Sequence, residues 1–266
     1  MSLPLAFLRI GIQDALQYRA ESFIWILCDI GPPIMMLFVW TAAYGGQTDV
    51  AGFDLPTMLT YTIGVLLLRN AVTSHVEWDV DEAIRMGTLS GHLAKPYHVW
   101  LRWLCTTLAS RVFRTAVTAP VALLAWLFTT PSTVTLGLAS AERVLATSIS
   151  VALAITLSFL VKLIIGLCAF WISDIHGLHL VEEILSYSFG GMLVPIELLP
   201  TILTPVANVL PFRALYHVPM SIALGRTEGA EAWLAVGFQL VWLGVLLLVA
   251  RFLWRRGLLT YEAVGG

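Results

Sequence analysis

The sequence predicts an all-α polytopic membrane protein with six transmembrane helices, and three observations predict it. Hydrophobic residues make up 58% of the chain and charged residues 12%, with a mean hydropathy of +0.84, far from the balance of a soluble globular protein. Apolar runs of about the 20 residues needed to cross a bilayer core of roughly 30 Å recur along the chain. Lys and Arg are distributed unevenly between those runs. With both termini inside, the cytosolic flanks hold Arg9, Arg19, Arg85, Lys95, Arg102, Arg111, Arg114, Arg251, Arg255 and Arg256, against Arg143, Arg213 and Arg226 outside. That bias sets the expected orientation.

Taken in order, residues 1–20 carry Leu5, Leu8, Ile12 and Leu16 at helical spacing, with Arg9, Gln13, Asp14 and Gln17 between them. This pattern predicts a helix lying in the membrane interface rather than a cleaved signal peptide. The expected spans are Phe23–Tyr44, Leu55–Val76, Thr115–Leu136, Val144–Trp171, Leu180–Leu199 and Ala232–Leu253. The whole chain reads as one transmembrane domain. Trp40, Tyr44, Trp126, Phe128, Trp171 and Trp254 fall near the span ends, where interfacial anchors are enriched.

Residues 77–114 form the only long charged segment, so they are the largest surface the chain shows to one aqueous compartment. A partner is expected to dock there. The outer connections differ in kind. Gly45–Asp54 and Gly137–Arg143 are short, whereas residues 200–231 are long, largely apolar and broken by Pro200, Pro205, Pro211 and Pro219. Such a stretch predicts short helices or a re-entrant hairpin in the outer leaflet, because apolar backbone at that depth needs protein or a cavity to satisfy it. Gly190, Gly191 and Pro195 are expected to weaken or kink the fifth span.

Sites for chemistry are few. No HExxH or GxSxG pattern occurs, and Cys28, Cys105 and Cys168 form no CxxC pair. Asp174, His176, His179 and Glu183 are the nearest approach to a metal set, but a polar turn capping two helices is the expected reading, and no metal is assigned. A P-loop requires GK[ST], yet Lys95 precedes Pro96 and Lys162 precedes Leu163, so any ATP must be bound by another subunit. Asp29, Arg69 and Asn70 are intramembrane polar residues in the cytosolic half of the first two spans. Ionisable groups in lipid are functional candidates by default. An Asp29–Arg69 pair is geometrically possible, and an ion or proton relay through Asp29, Arg69 and Lys162 is the rival reading. An intramembrane enzyme centred on Asp174–Glu183 is the third.

Two stretches carry a family resemblance. Gly87, Leu89, Leu93, Lys95 and Pro96 stand in GTLSGHLAKP, which resembles the G-x-L-x-x-x-L-x-[KR]-P signature of ABC-2 type permeases, especially a bacterial branch of uncharacterised ABC transport permeases. Gly190, Gly191, Pro195, Leu199, Pro200, Pro211, Phe212, Pro219 and Gly225 resemble the C-terminal signature of the same family. The resemblance implies the ABC-2, type V exporter-like architecture, with a cytosolic coupling helix over roughly 77–91. Glu77, Asp79, Asp81, Glu82, Arg85 and Gly87 would make up its contact with the ATPase. It also implies ATPase subunits that bind ATP and Mg, a second permease (identical or paralogous), surrounding lipids and an amphiphilic or hydrophobic substrate such as a drug, antibiotic, lipid or peptide. No nucleic acid and no cofactor in this chain are implied. The expected location is the cytoplasmic membrane of a bacterium, with both termini cytosolic.

Overall fold

The computed structural model describes residues 3–17, 19–50, 52–129 and 140–261, apart from the side chains of 14–16, 19–23, 25, 26, 29 and 129. Its order is α1 (Leu3–Gln17), α2 (Arg19–Tyr44), α3 (Leu55–Val72), α4 (Val76–Arg85), α5 (Leu89–Leu93), α6 (Val99–Thr129), α7 (Ala141–Leu167), α8 (His176–Phe189), α9 (Thr204–Val209), α10 (His217–Ala223) and α11 (Gly229–Thr260). Among the described residues, four helices are long and apolar enough to cross a membrane: Leu55–Arg85, Val99–Phe128, Ala141–Phe170 and Gly229–Thr260. The protein is a helical membrane protein.

Local sequence explains the boundaries. Asp54 caps α3 by accepting from Thr57 N at 3.2 Å, with a proline in the first turn. Ser140 caps α7 by accepting from Arg143 N at 3.2 Å. Gly87, at φ +71°, turns the chain after α4, where a side chain would strain the backbone.

Two expected spans differ from the structure. The fifth, Leu180–Leu199, is not one helix: α8 has 14 residues, about 21 Å at the α-helical rise, and stops at Gly190. Gly191 then takes φ +78° and Pro195 follows, so the glycines and proline end the helix instead of bending it. The third begins earlier than expected, because α6 continues from Val99 through Arg102, Arg111 and Arg114. No breaker separates Pro96 from Pro120, and the charged turns are carried by packing. The expected end of that span at Leu136 and residues 137–139 of the expected Gly137–Arg143 loop lie outside the described residues, while residues 141–143 already belong to α7.

The core sits where α7 meets α11, α4, α3 and α10, while α6 receives α1 and α3. Gln239 of α11 is fully buried, donating to Ser150 O at 3.1 Å and Ala214 O at 2.8 Å. On α1, Gly11 is turned to α6, where a Cβ would lie 2.8 Å from Ala109 Cβ, and Phe7 packs edge-on at 5.1 Å against Tyr97, in the turn before α6. Leu5 and Ile12 of the apolar stripe are exposed. The proline-broken stretch folds into α9, a 3-10 turn at Pro211–Ala214 and α10. Residues His217–Ile222 of α10 are all buried.

Candidate functional site

The short helix α4 has two faces. Val76, Glu77, Val80, Ala83 and Ile84 are buried, an i, i+3/i+4 stripe that seats the helix on α7. Close approach is possible because α7 offers Gly166 there. A Cβ at Gly166 would meet Val80 Cβ at 2.7 Å and Glu77 Cα and O at 3.0 Å. The opposite face carries Asp79, Glu82 and Arg85, all exposed, and the half-buried Asp81, which accepts from Arg85 Nε at 2.6 Å.

Glu77 is the exception among the charges of this segment. It is 0% exposed, so the position expected on the contact surface points into the protein. Its Oε1 lies 3.5 Å from Lys162 Nζ on α7, 3.0 Å from His179 Nδ1 on α8 and 3.6 Å from His75 Nδ1. Lys162 also reaches Glu182 Oε2 on α8 at 2.5 Å, and Glu182 Oε1 accepts from Ser186 Oγ at 2.6 Å. Lys162 and Glu182 are buried. The result is a carboxylate–ammonium–carboxylate line across three helices. Deleting one member of a buried ion pair strands its partner, typically at about 3–5 kcal/mol. Trp78 reinforces the α4–α8 contact by packing on His176 and His179, with ring centroids 4.7 and 5.0 Å apart.

The other sequence candidates fall apart into separate roles. Asp174 Oδ1 accepts from His176 N at 2.8 Å and meets its Nδ1 at 2.6 Å, at the start of α8. These backbone and side-chain hydrogen bonds, both from His176, hold the Asp174 carboxyl below its usual range. His179 turns to Glu77 instead, with Glu183 at 3.6 Å. Among the described residues, no group of three or more His, Cys, Asp or Glu is arranged to hold a metal ion. Arg69 lies over the Tyr187 ring at 5.1 Å, and Asn70 is buried, donating from Nδ2 to Leu66 O within its own helix at 3.2 Å. The side chain of Asp29 lies outside the described residues, so the expected Asp29–Arg69 pair does too.

The glycine- and proline-marked positions organise backbone. After Gly87, Leu89 is fully buried, while Leu93, Lys95 and Pro96 are exposed. Ser90 N donates to Tyr261 Oη at 3.3 Å. His92 bridges Tyr97 Oη at 2.9 Å and Arg102 Nη1 at 2.7 Å. Burial first, then the charges of Arg102 and Lys95, push its pKa down. Between α4, α5 and α6 lies an open cleft of about 380 Å³, lined by Asp79, Glu82, Thr88, His92, Arg102 and Trp103. At the second cluster, Gly191 O accepts from Tyr61 Oη at 2.5 Å and Gly190 O from His217 N at 3.0 Å. A Cβ on Gly190 would strike Ser186 O at 2.3 Å, and one on Gly191 would strike Tyr61 Oη at 2.6 Å and His217 Cβ at 2.8 Å. Pro195, Pro211, Phe212 and Pro219 are buried, whereas Pro200 is exposed. Gly225, at φ +70°, leaves room for the Arg143 guanidinium.

Sequence reasoning missed Lys162 as the partner of Glu77, and Gly166 beneath α4. The charge balance of Glu77 and Lys162 was a signal, but nothing in their spacing pairs them. A family model described as an ABC-2 family transporter protein matches residues 30–265. A search of curated proteins finds no match.

Proposed function

From the premise that the chain belongs to the ABC-2 family of transporter proteins, we propose that it is the permease subunit of an ATP-driven exporter in the cytoplasmic membrane of a bacterium. Both termini and α4 face the cytosol. The six crossings are α2, α3, α6, α7, α8 with the segment that follows it, and α11, while α1 lies along the interface and residues 200–231 line the outer leaflet.

The observation that carries the reading is α4 itself. A helix whose apolar face is seated on α7, and whose other face presents Asp79, Asp81, Glu82 and Arg85 beside an open polar cleft, is built to be gripped from outside the membrane. These four residues and the turn at Gly87 form the ATPase contact, and Glu77 positions α4 from behind. The ATPase binds ATP and Mg and does the hydrolysis; this chain supplies the path. A second permease, identical or paralogous, completes that path between apolar surfaces, which suit an amphiphilic or hydrophobic cargo. ATP closure of the paired ATPases moves α4 as a rigid body and alternates the opening.

The test is to co-express the chain with the ATPase encoded beside its gene and purify the pair through a tag on the permease. ATP hydrolysis is then measured in lipid. A stable complex with hydrolysis that responds to added amphiphiles is the expected result. Failure of any ATPase to bind an intact, folded chain refutes the reading.

A further inference from the structure

Resting on the permease reading above, we propose that the buried line Glu77–Lys162–Glu182 is the joint that carries motion of α4 to α8 and the outer segment beyond it. In this role Glu77, Lys162 and Glu182 are positioning residues.

The geometry supports this in three ways. First, the line joins the right parts. Glu77 sits on the back of the helix whose front is offered to the ATPase. Glu182 sits on α8, whose far end is fastened at Gly190 and Gly191 to α10 and α3. Second, Lys162 is shared but not equally: it is 2.5 Å from Glu182 and 3.5 Å from Glu77. The α7–α8 half is the tighter clasp. The α4 half is held through Lys162 at the longer distance and, in parallel, by His179 of α8, whose Nδ1 lies 3.0 Å from Glu77 Oε1 and 3.2 Å from Lys162 Nζ. A displacement of α4 therefore pulls on Lys162 and on His179 together. Third, all three charges are buried, and a buried charge that loses its partner is strongly disfavoured. Partners that stay together must move together, so α8 follows when α4 moves. The Val80–Gly166 contact fixes how closely α4 sits on α7, but it does not reach α8.

The test separates a joint from mere packing. Replacing the whole line by apolar residues of similar size, in the variant Glu77→Met, Lys162→Met, Glu182→Met, leaves no stranded charge, and such replacements are often neutral to stability. The variant and the unaltered chain are prepared with Cys28, Cys105 and Cys168 changed to Ala. Nitroxide labels are placed at Ile202, 80% exposed beyond α8, and Leu234, 74% exposed on α11. The distance between the labels is measured by electron paramagnetic resonance in the ATPase complex, with and without ATP plus vanadate. In the unaltered complex, nucleotide trapping shifts the distance. In the variant, the ATPase still binds and traps nucleotide, because Asp79, Asp81, Glu82 and Arg85 are untouched, but the shift is lost. An unchanged shift in the variant overturns the joint, as does trapping without any shift in the unaltered complex. If the triple variant does not assemble, Glu77→Gln alone, which keeps the tighter Lys162–Glu182 pair, is read by the same distances: a reduced shift supports the joint and an unaltered one overturns it. Absence of any ATPase complex with the unaltered chain is a different failure, that of the permease reading itself.

Discussion

Gly166→Ala probes how closely α4 is seated. The added methyl would lie 2.7 Å from Val80 Cβ and 3.0 Å from the Glu77 backbone, against an ordinary carbon–carbon contact of about 3.5–4.0 Å. The obstacle is backbone and a Cβ, so no side chain can swing aside and α4 must retreat by about 1 Å. Overpacking of this kind costs about 1–3 kcal/mol. Removing a glycine from a helix returns up to about 1 kcal/mol. Gly237→Ala on α11 is the matched control, since nothing lies within 4 Å of a Cβ there and only the helix gain applies. The two variants should therefore differ by about 1–3 kcal/mol. For domains approaching this size that means about 2–4 °C in unfolding midpoint per kcal/mol. Thermal unfolding of the purified chain in detergent should place Gly166→Ala below the unaltered protein, and Gly237→Ala at or above it. Equal midpoints for the two variants would refute the close seating of α4 on α7, and with it the route from an ATPase to the membrane core.

Two further outcomes are expected. Asp81→Arg with Glu82→Arg should leave membrane insertion intact but weaken co-purification of the ATPase, because charges at the exposed face govern recognition; normal association by the double variant would count against the contact surface. Gly190→Leu with Gly191→Leu should abolish ATP-dependent transport of a candidate amphiphile and lower thermal stability by at least about 2 kcal/mol, since each side chain collides with backbone or with Tyr61 and His217; unchanged stability would show that α8 and α10 do not approach as described.

The helical class, α7 and α11 were legible because long apolar runs bounded by charge leave one solution. So was the outward face of α4, where Asp79, Asp81, Glu82 and Arg85 precede a glycine turn. Less legible were features set by packing. Local hydropathy places Arg102, Arg111 and Arg114 in a loop, but α1 and α3 lie along α6 and carry the helix through them. The apolar run from Leu180 to Leu199 has the length of a span, while Gly190 and Gly191 serve the close approach of Tyr61, Tyr216 and His217, contacts from distant parts of the chain. Glu77 reads as one of five charges on a soluble helix. Its burial depends on Lys162, which lies in another helix far along the chain.

That last pairing also explains why α4 carries a charge on its apolar face at all. Val80, Ala83 and Ile84 would hold the helix on α7 without help, as burial of apolar surface is the dominant attraction. A glutamate at position 77 adds a desolvation cost that a leucine would avoid. What it adds in return is register: in the observed placement of α4 the Glu77 carboxylate faces both Lys162 and His179 while Trp78 lies across His176 and His179. A buried ion pair beside the close Val80–Gly166 seat adds to its register, since a one-turn slip would strand Glu77 and Lys162.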